Sequence, residues 1–117
     1  CVPISNLVES IKFAEEEIKK FGIKAPMVGH VGDGNFHVAI MYDPKKKESY
    51  KVIREFSDKL IEKALSLEGT ITGEHGVGIQ KKEYLLKQHP DNISVMKGIK
   101  KVLDPNNIMN PGKIFDL

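Results

Sequence analysis

A chain of 117 residues with 18 basic and 16 acidic side chains has a formal net charge of +2, too balanced to argue for nucleic acid or an anionic membrane as a partner. Its hydrophobic share of 40% and charged share of 29% are ordinary for a soluble protein, and its length suits one domain. The single cysteine, Cys1, excludes a disulfide framework and a thiolate cluster, and no apolar run approaches the roughly 20 residues that span a bilayer.

The opening Cys1-Val2-Pro3-Ile4 reads as strand-like, with no initiator methionine and no signal peptide, so the chain is expected to be a piece of a longer protein. Asn6 and Glu9 have the capping-box spacing. Leu7, Val8, Ile11, Ala14, Ile18 and Phe21 then recur at helical intervals as far as Gly22. They predict an amphipathic helix with Glu15, Glu16, Glu17, Lys19 and Lys20 on its wet face.

Next come two apolar arms, Ala25–His30 and Asn35–Tyr42, around Asp33-Gly34. Asp-Gly is a two-residue hairpin signal, because both central residues of a type I′ turn need positive φ. That turn would set Gly32 opposite Asn35, Val31 opposite Phe36 and His30 opposite His37. Opposed residues share a face with Cβ atoms roughly 4.5–5.5 Å apart, so two imidazoles would converge on one ion or substrate. On one continuous strand, histidines seven apart would point to opposite faces.

Asp43-Pro44 is expected to open a second helix, with Pro44 in the first turn and Ile53, Phe56, Leu60, Ile61, Ala64, Leu65 and Leu67 inward before Gly69. Thr70-Ile71-Thr72 reads as a short strand entering a glycine-rich loop, Gly73-Glu74-His75-Gly76-Val77-Gly78. A short helix is predicted over Gln80–Lys87 and a final one over Asn92–Leu103, with Ile93, Met96, Ile99, Val102 and Leu103 inward, ending before Asp104-Pro105. The lysine runs at 45–47 and 81–82 read as solvated faces. The order strand, helix, hairpin, helix, strand predicts an α+β fold, an antiparallel sheet with helices on one face in a ferredoxin-like arrangement.

Two histidines and one carboxylate make a familiar first shell for Zn²⁺, Mn²⁺ or Fe²⁺ with positions left open for substrate. His30, His37 and Glu74 would form one. In extended backbone only one of Glu74 and His75 can point at the pair, but a loop relaxes that restriction, so a His30–His37–His75 set is also open. His89, before Pro90, reads as structural or exposed.

Three stretches carry a resemblance. They are Gly29-His-Val-Gly-Asp-Gly-Asn-Phe-His37, Gly73-Glu-His-Gly-Val-Gly78 and Leu103-Asp-Pro-Asn-Asn-Ile-Met-Asn-Pro-Gly-Lys113. Together, and with Val2-Pro3 at the start, they resemble the signature blocks of the C-terminal domain of FAD-linked oxidases. That family includes glycolate oxidase, D-lactate dehydrogenase and D-2-hydroxyglutarate dehydrogenase. The resemblance implies that His30, His37 and Glu74 bind a divalent ion (Zn, Mn or Fe) and that His75 takes the substrate hydroxyl proton. It also implies that Asn35 touches the substrate or the flavin edge and that Asn110 to Lys113 lie near the flavin.

The implied partners are a small 2-hydroxy acid and an N-terminal FAD-binding domain that holds most of the cofactor and lies outside these residues. The chain alone is therefore expected neither to hold FAD tightly nor to turn over. The implied location is cytoplasmic, peripheral to the membrane in the full-length enzyme, and apolar surface left exposed would favour a homodimer. Two rival classes remain on the sequence: a stand-alone metal hydrolase using the same three ligands, and a non-catalytic ferredoxin-like binding module.

Overall fold

The structure, a computed structural model, describes residues 1–117 apart from the side chain of Lys47, which leaves the third member of the 45–47 lysine run outside the described residues. It contains the helices α1 (Leu7–Phe21), α2 (Lys47–Ser66), α3 (Lys82–Gln88) and α4 (Ile93–Leu103), and the strands β1 (Met27–His30) and β2 (Asn35–Val38). The α+β class holds. Among the described residues the sheet has only the two antiparallel strands, so the larger sheet of a ferredoxin-like fold is not built. The chain divides into two compact units, residues 1–73 and 74–117.

In the first unit, α1 and α2 run antiparallel, as their contacts show. Glu9 meets Lys63 at 2.5 Å, Glu17 meets Lys59 at 3.4 Å, and the Phe21 and Phe56 rings meet edge-on with centroids 5.9 Å apart. The apolar spacing placed α1 correctly, but its start is built differently from a capping box. Ile4–Asn6 is a 3-10 turn that brings Asn6 into helical φ/ψ, so its side chain does not cap. The Asn6 amide instead donates to the Leu67 carbonyl beyond α2 at 3.1 Å, and Glu9 is taken by Lys63.

Glu17 is a second correction. It is buried, not on the wet face, with Lys20 at 2.5 Å and Lys59 at 3.4 Å closing over its carboxylate. Chiefly through the bond to Lys20, its pKa is held below the usual glutamate range against the opposing pull of burial. Val8, counted in the apolar stripe, is exposed.

α2 begins four residues later than expected. Asp43 instead folds a turn, accepting the Lys45 N–H on its side chain at 3.0 Å and the Lys46 N–H on its carbonyl at 3.1 Å. Thr70–Thr72 is a bend and Cys1–Pro3 is irregular, so neither forms the expected strand. They still bond: Thr70 N–H donates to the Cys1 carbonyl at 2.8 Å, and Val2 N–H to the Gly34 carbonyl at 2.9 Å. The chain's first residues thus tie the hairpin loop to the segment after α2. Val2, Leu7 and Ala64 form a buried cluster, and Phe36 of β2 packs against it, which fastens the hairpin to the helix pair.

In the second unit, Tyr84, Leu85 and Ile93 are buried. The expectation that Ile99, Val102 and Leu103 point inward is overturned, since Val102 and Leu103 remain 79% and 74% exposed and Ile99 56%. The tail is held by polar contacts. Asp104, 4% exposed, accepts the Ile108 N–H at 3.0 Å, the Met109 N–H at 2.9 Å and the Lys100 ammonium. Lys82 meets Asp116 at 2.6 Å, and Ile114 N–H reaches the Gly78 carbonyl at 2.7 Å.

Candidate functional site

The hairpin forms, but in another register. His30 lies opposite Asn35, Gly29 opposite Phe36, Val28 opposite His37 and Met27 opposite Val38. Val31–Asp33 is a 3-10 turn and Gly34 closes it at φ 67°, so four residues connect the strands where Asp33-Gly34 alone was expected to. The N-terminal segment explains why Gly34 is the one in the left-handed region. It accepts a bond from Val2, and a Cβ at Gly34 would overlap the Val2 carbonyl oxygen. Asp33 keeps negative φ, and the two-residue type I′ turn is not formed.

The slip is two residues, so no side chain changes face. His30, Asn35 and His37 line one face of the ribbon while Phe36 on the other packs into the core. The two imidazoles meet edge-on, with ring centroids 5.9 Å apart. They are diagonal neighbours, not a directly opposed pair.

Glu74 is joined directly to Gly73, and Gly73 rests on Asn35. A Cβ at Gly73 would overlap Asn35 Oδ1 and come within 2.7 Å of its Cγ. Two imidazole nitrogens and a carboxylate oxygen suit a borderline or hard divalent ion; the two imidazoles share one face of the hairpin, and Glu74 opens the second unit.

His75 is 74% exposed, with Nε2 3.7 Å from Glu74 Oε1. Asn35, expected to reach substrate or flavin, is 6% exposed and covered by the Gly73 backbone. Asn110 and Lys113 are exposed in one turn closed by the Lys113 N–H to Asn110 carbonyl bond at 3.2 Å. The Ile114–Gly78 bond ties that turn to the second glycine loop, so the second and third sequence blocks adjoin within residues 74–117. Arg54, the single arginine, is on α2 with Asp58 at 3.3 Å. Sequence reasoning missed Asp104, which shapes the 104–109 loop ahead of Asn110. Asp104-Pro105 was read only as a helix stop, although an acid at a helix end followed by a turn-rich stretch is a ready acceptor for turn amides.

The family described as "FAD linked oxidases, C-terminal domain" matches residues 1–114. The chain belongs to that family. This FAD-linked oxidase domain is 44% identical over 118 residues to "Probable D-lactate dehydrogenase, mitochondrial" of Danio rerio, covering 100% of the chain and 24% of that protein. It is 44% identical over 116 residues to "D-lactate dehydrogenase [cytochrome], mitochondrial" of Arabidopsis thaliana, covering 98% of the chain and 20% of that protein. It is 40% identical over 115 residues to "Glycolate oxidase subunit GlcD" of Bacillus subtilis, covering 97% of the chain and 24% of that protein. The domain thus spans about a quarter or less of these relatives. No helix of the described residues is long and apolar enough to cross a membrane.

Proposed function

We propose that the chain is the substrate-side domain of an FAD-dependent dehydrogenase of small 2-hydroxy acids, D-lactate or glycolate in type, with His30, His37 and Glu74 holding a divalent Zn, Mn or Fe ion. The observation that carries this reading is the pair of imidazoles, His30 and His37, on one face of the hairpin with ring centroids 5.9 Å apart, in a family whose relatives are named as D-lactate dehydrogenases and as part of a glycolate oxidase.

Oxidising a 2-hydroxy acid removes a proton from oxygen and a hydride from carbon, and FAD supplies the redox chemistry. A divalent ion held by His30, His37 and Glu74 would supply Lewis acidity toward the substrate. Within this chain, His30 and His37 offer ring nitrogens from adjacent strands, and Glu74 completes the set. His75, the next residue, accepts the hydroxyl proton on its imidazole, a group suited to proton transfer near neutral pH. Asn110 and Lys113, on the exposed turn after the Asp104 loop, contact the flavin or the substrate.

The apolar side of α4, with Val95, Ile99 and Val102 at i, i+4 and i+7, supports a further part of the reading. It packs on the FAD-binding domain in the full-length protein and drives homodimerisation of the isolated chain. The single cysteine suits a reducing compartment, the cytoplasm in this reading.

Titration of the purified chain with Zn²⁺ and Mn²⁺, beside His37→Ala, tests the centre. We expect the substitution to weaken binding on the order of 100-fold, at or above what loss of an outer-shell partner costs. Unchanged metal content in His37→Ala would return the chain to the class of non-catalytic binding modules. Hydrolytic activity without flavin would favour the metal-hydrolase class. We expect the isolated chain to show neither bound flavin absorbance nor dye-linked D-lactate oxidation; finding both would overturn its assignment as one part of the catalytic unit.

A further inference from the structure

We infer that the outer edge of β2 is a docking edge, and that in the full-length protein the residues leading into Cys1 lie along it as a third, antiparallel strand. The inference depends on this domain being part of a longer chain, as its counterparts are in relatives of which it spans a quarter or less, and on nothing about metal or substrate.

β2 is paired on one side. The Ala39 and Met41 N–H groups donate to the Pro26 and Lys24 carbonyls, each at 2.9 Å, so the odd-numbered residues of this stretch face β1. Backbone groups alternate along an antiparallel ladder, which turns those of Gly34, Phe36, Val38 and Ile40 outward. The sheet has only two strands, and among the described residues no backbone bond reaches Phe36, Val38 or Ile40 on that outer side. The stretch from Gly34 to Met41 also carries no lysine, acid or proline, the residues that usually guard an open edge.

One outward group is taken, and its partner shows what fits. The Gly34 carbonyl accepts the Val2 N–H at 2.9 Å, while the neighbouring Cys1 carbonyl accepts the Thr70 N–H at 2.8 Å. Val2 is thus the last rung of a third strand, held at the loop end of the ribbon. From there α1 carries the chain back to β1, which ends at His30 beside the same loop. A strand that enters Val2 along the ribbon therefore runs parallel to β1 and antiparallel to β2. Counting back by two sets the residue before Cys1 opposite Phe36, and earlier rungs opposite Val38 and Ile40, roughly five residues in all. Side chains on those rungs share the face of Val2, which clusters with Leu7 and Ala64 and has Phe36 against it, so they should be apolar. β2, with Asn35 and His37, then becomes a central strand.

Hydrogen exchange in the full-length protein provides the test, read at the Phe36, Val38 and Ile40 amides. The comparison is a version in which the roughly five residues before Cys1 are replaced by a glycine-serine run. These amides should exchange about 100-fold or more slower in the native protein, with α1 and α2 equally protected in both. Protection that survives the replacement overturns the inference, as does its absence from the native protein. Protection of the same amides in the isolated chain, together with a dimeric sedimentation profile, also overturns it, because a second copy would then be the occupant.

Should the glycine-serine version lose its helical circular dichroism, proline at the residue before Cys1 decides, since it has no N–H to give the Phe36 carbonyl. Faster exchange at Phe36 with intact helices supports the inference, and unchanged exchange overturns it. Absence of flavin from the native protein would overturn the functional reading above, while these amides still decide this one.

Discussion

In residues 1–73 the buried apolar side chains come from the whole stretch: Val2, Leu7, Ala14, Phe56, Ala64 and Ile71. In residues 74–117 only Tyr84, Leu85 and Ile93 reach that depth, while the best-connected buried group is a carboxylate, Asp104, with two amides and an ammonium around it. The first unit has two long helices to close an apolar core. The second is near the size, about 40 residues, below which a chain cannot bury enough apolar surface to hold itself together. It makes up the difference with polar ties: Lys100 to Asp104 and the Met109 carbonyl, Lys82 to Asp116, and Ile114 to Gly78. One unit is organised by exclusion of water, the other by a few directed bonds that leave apolar surface facing out.

The sharpest way to break that contrast is to empty the first core. Phe56 is fully buried and stacks edge-on with Phe21. Phe56→Ala should cost about 3–5 kcal/mol in urea unfolding. A cost near zero would mean that the helix pair does not depend on its core.

The second unit should instead be sensitive to single polar changes. Asp104→Asn replaces with a donor either Oδ1, which accepts the Ile108 N–H, or Oδ2, which accepts both the Met109 N–H and the Lys100 ammonium. Amide hydrogen exchange at Ile108 and Met109 should accelerate by an order of magnitude or more, while amides in α1 and α2 keep their protection. Acid should mimic the substitution. The Lys100 ammonium first, then the Met109 and Ile108 amides, hold the Asp104 carboxyl below the usual aspartate range against the pull of burial. The folded form therefore binds this proton more weakly than the unfolded form. The contribution is complete above the ordinary aspartate range, about pH 4, and is lost as the pH falls through the lowered value. Protection of these two amides, measured against their intrinsic exchange rates at each pH, should fall over that window in the wild type and stay flat in Asp104→Asn.

The smallest effect should come from the exposed apolar side of α4. Val102→Lys should change stability by no more than about 0.5 kcal/mol, yet shift a sedimentation profile toward monomer. An unchanged profile would show that this face does not carry self-association.

Much of this architecture is legible in the sequence because periodicity reports local geometry. The stripe from Leu7 to Phe21 and the Gly22 stop placed α1, and the glycine loops marked where backbone approaches other groups. What sequence misjudged are positions decided by distant partners. Glu17 looks solvent-facing until Lys59 of α2 is brought alongside. Asn6 and Glu9 have a capping spacing, but Leu67 and Lys63 claim their side chains. Val102 and Leu103 fit an inward stripe that a small unit has no second layer to cover. In the candidate site, the histidines and Glu74 were legible as chemistry and the diagonal contact was not, because Val2 bonding to Gly34 helps shape the loop.

The four-residue loop between His30 and Asn35 has a consequence for variation in this family. Because strand side chains alternate, what matters is the parity of any slip in register between the two strands. A slip of two would move His30 along the ribbon and still leave it on the side of His37. A slip of one would turn one imidazole away and put Val31 or Gly29 in its place. Changes in this loop that keep the register, or shift it by an even number, are therefore the ones that a functional site here could tolerate.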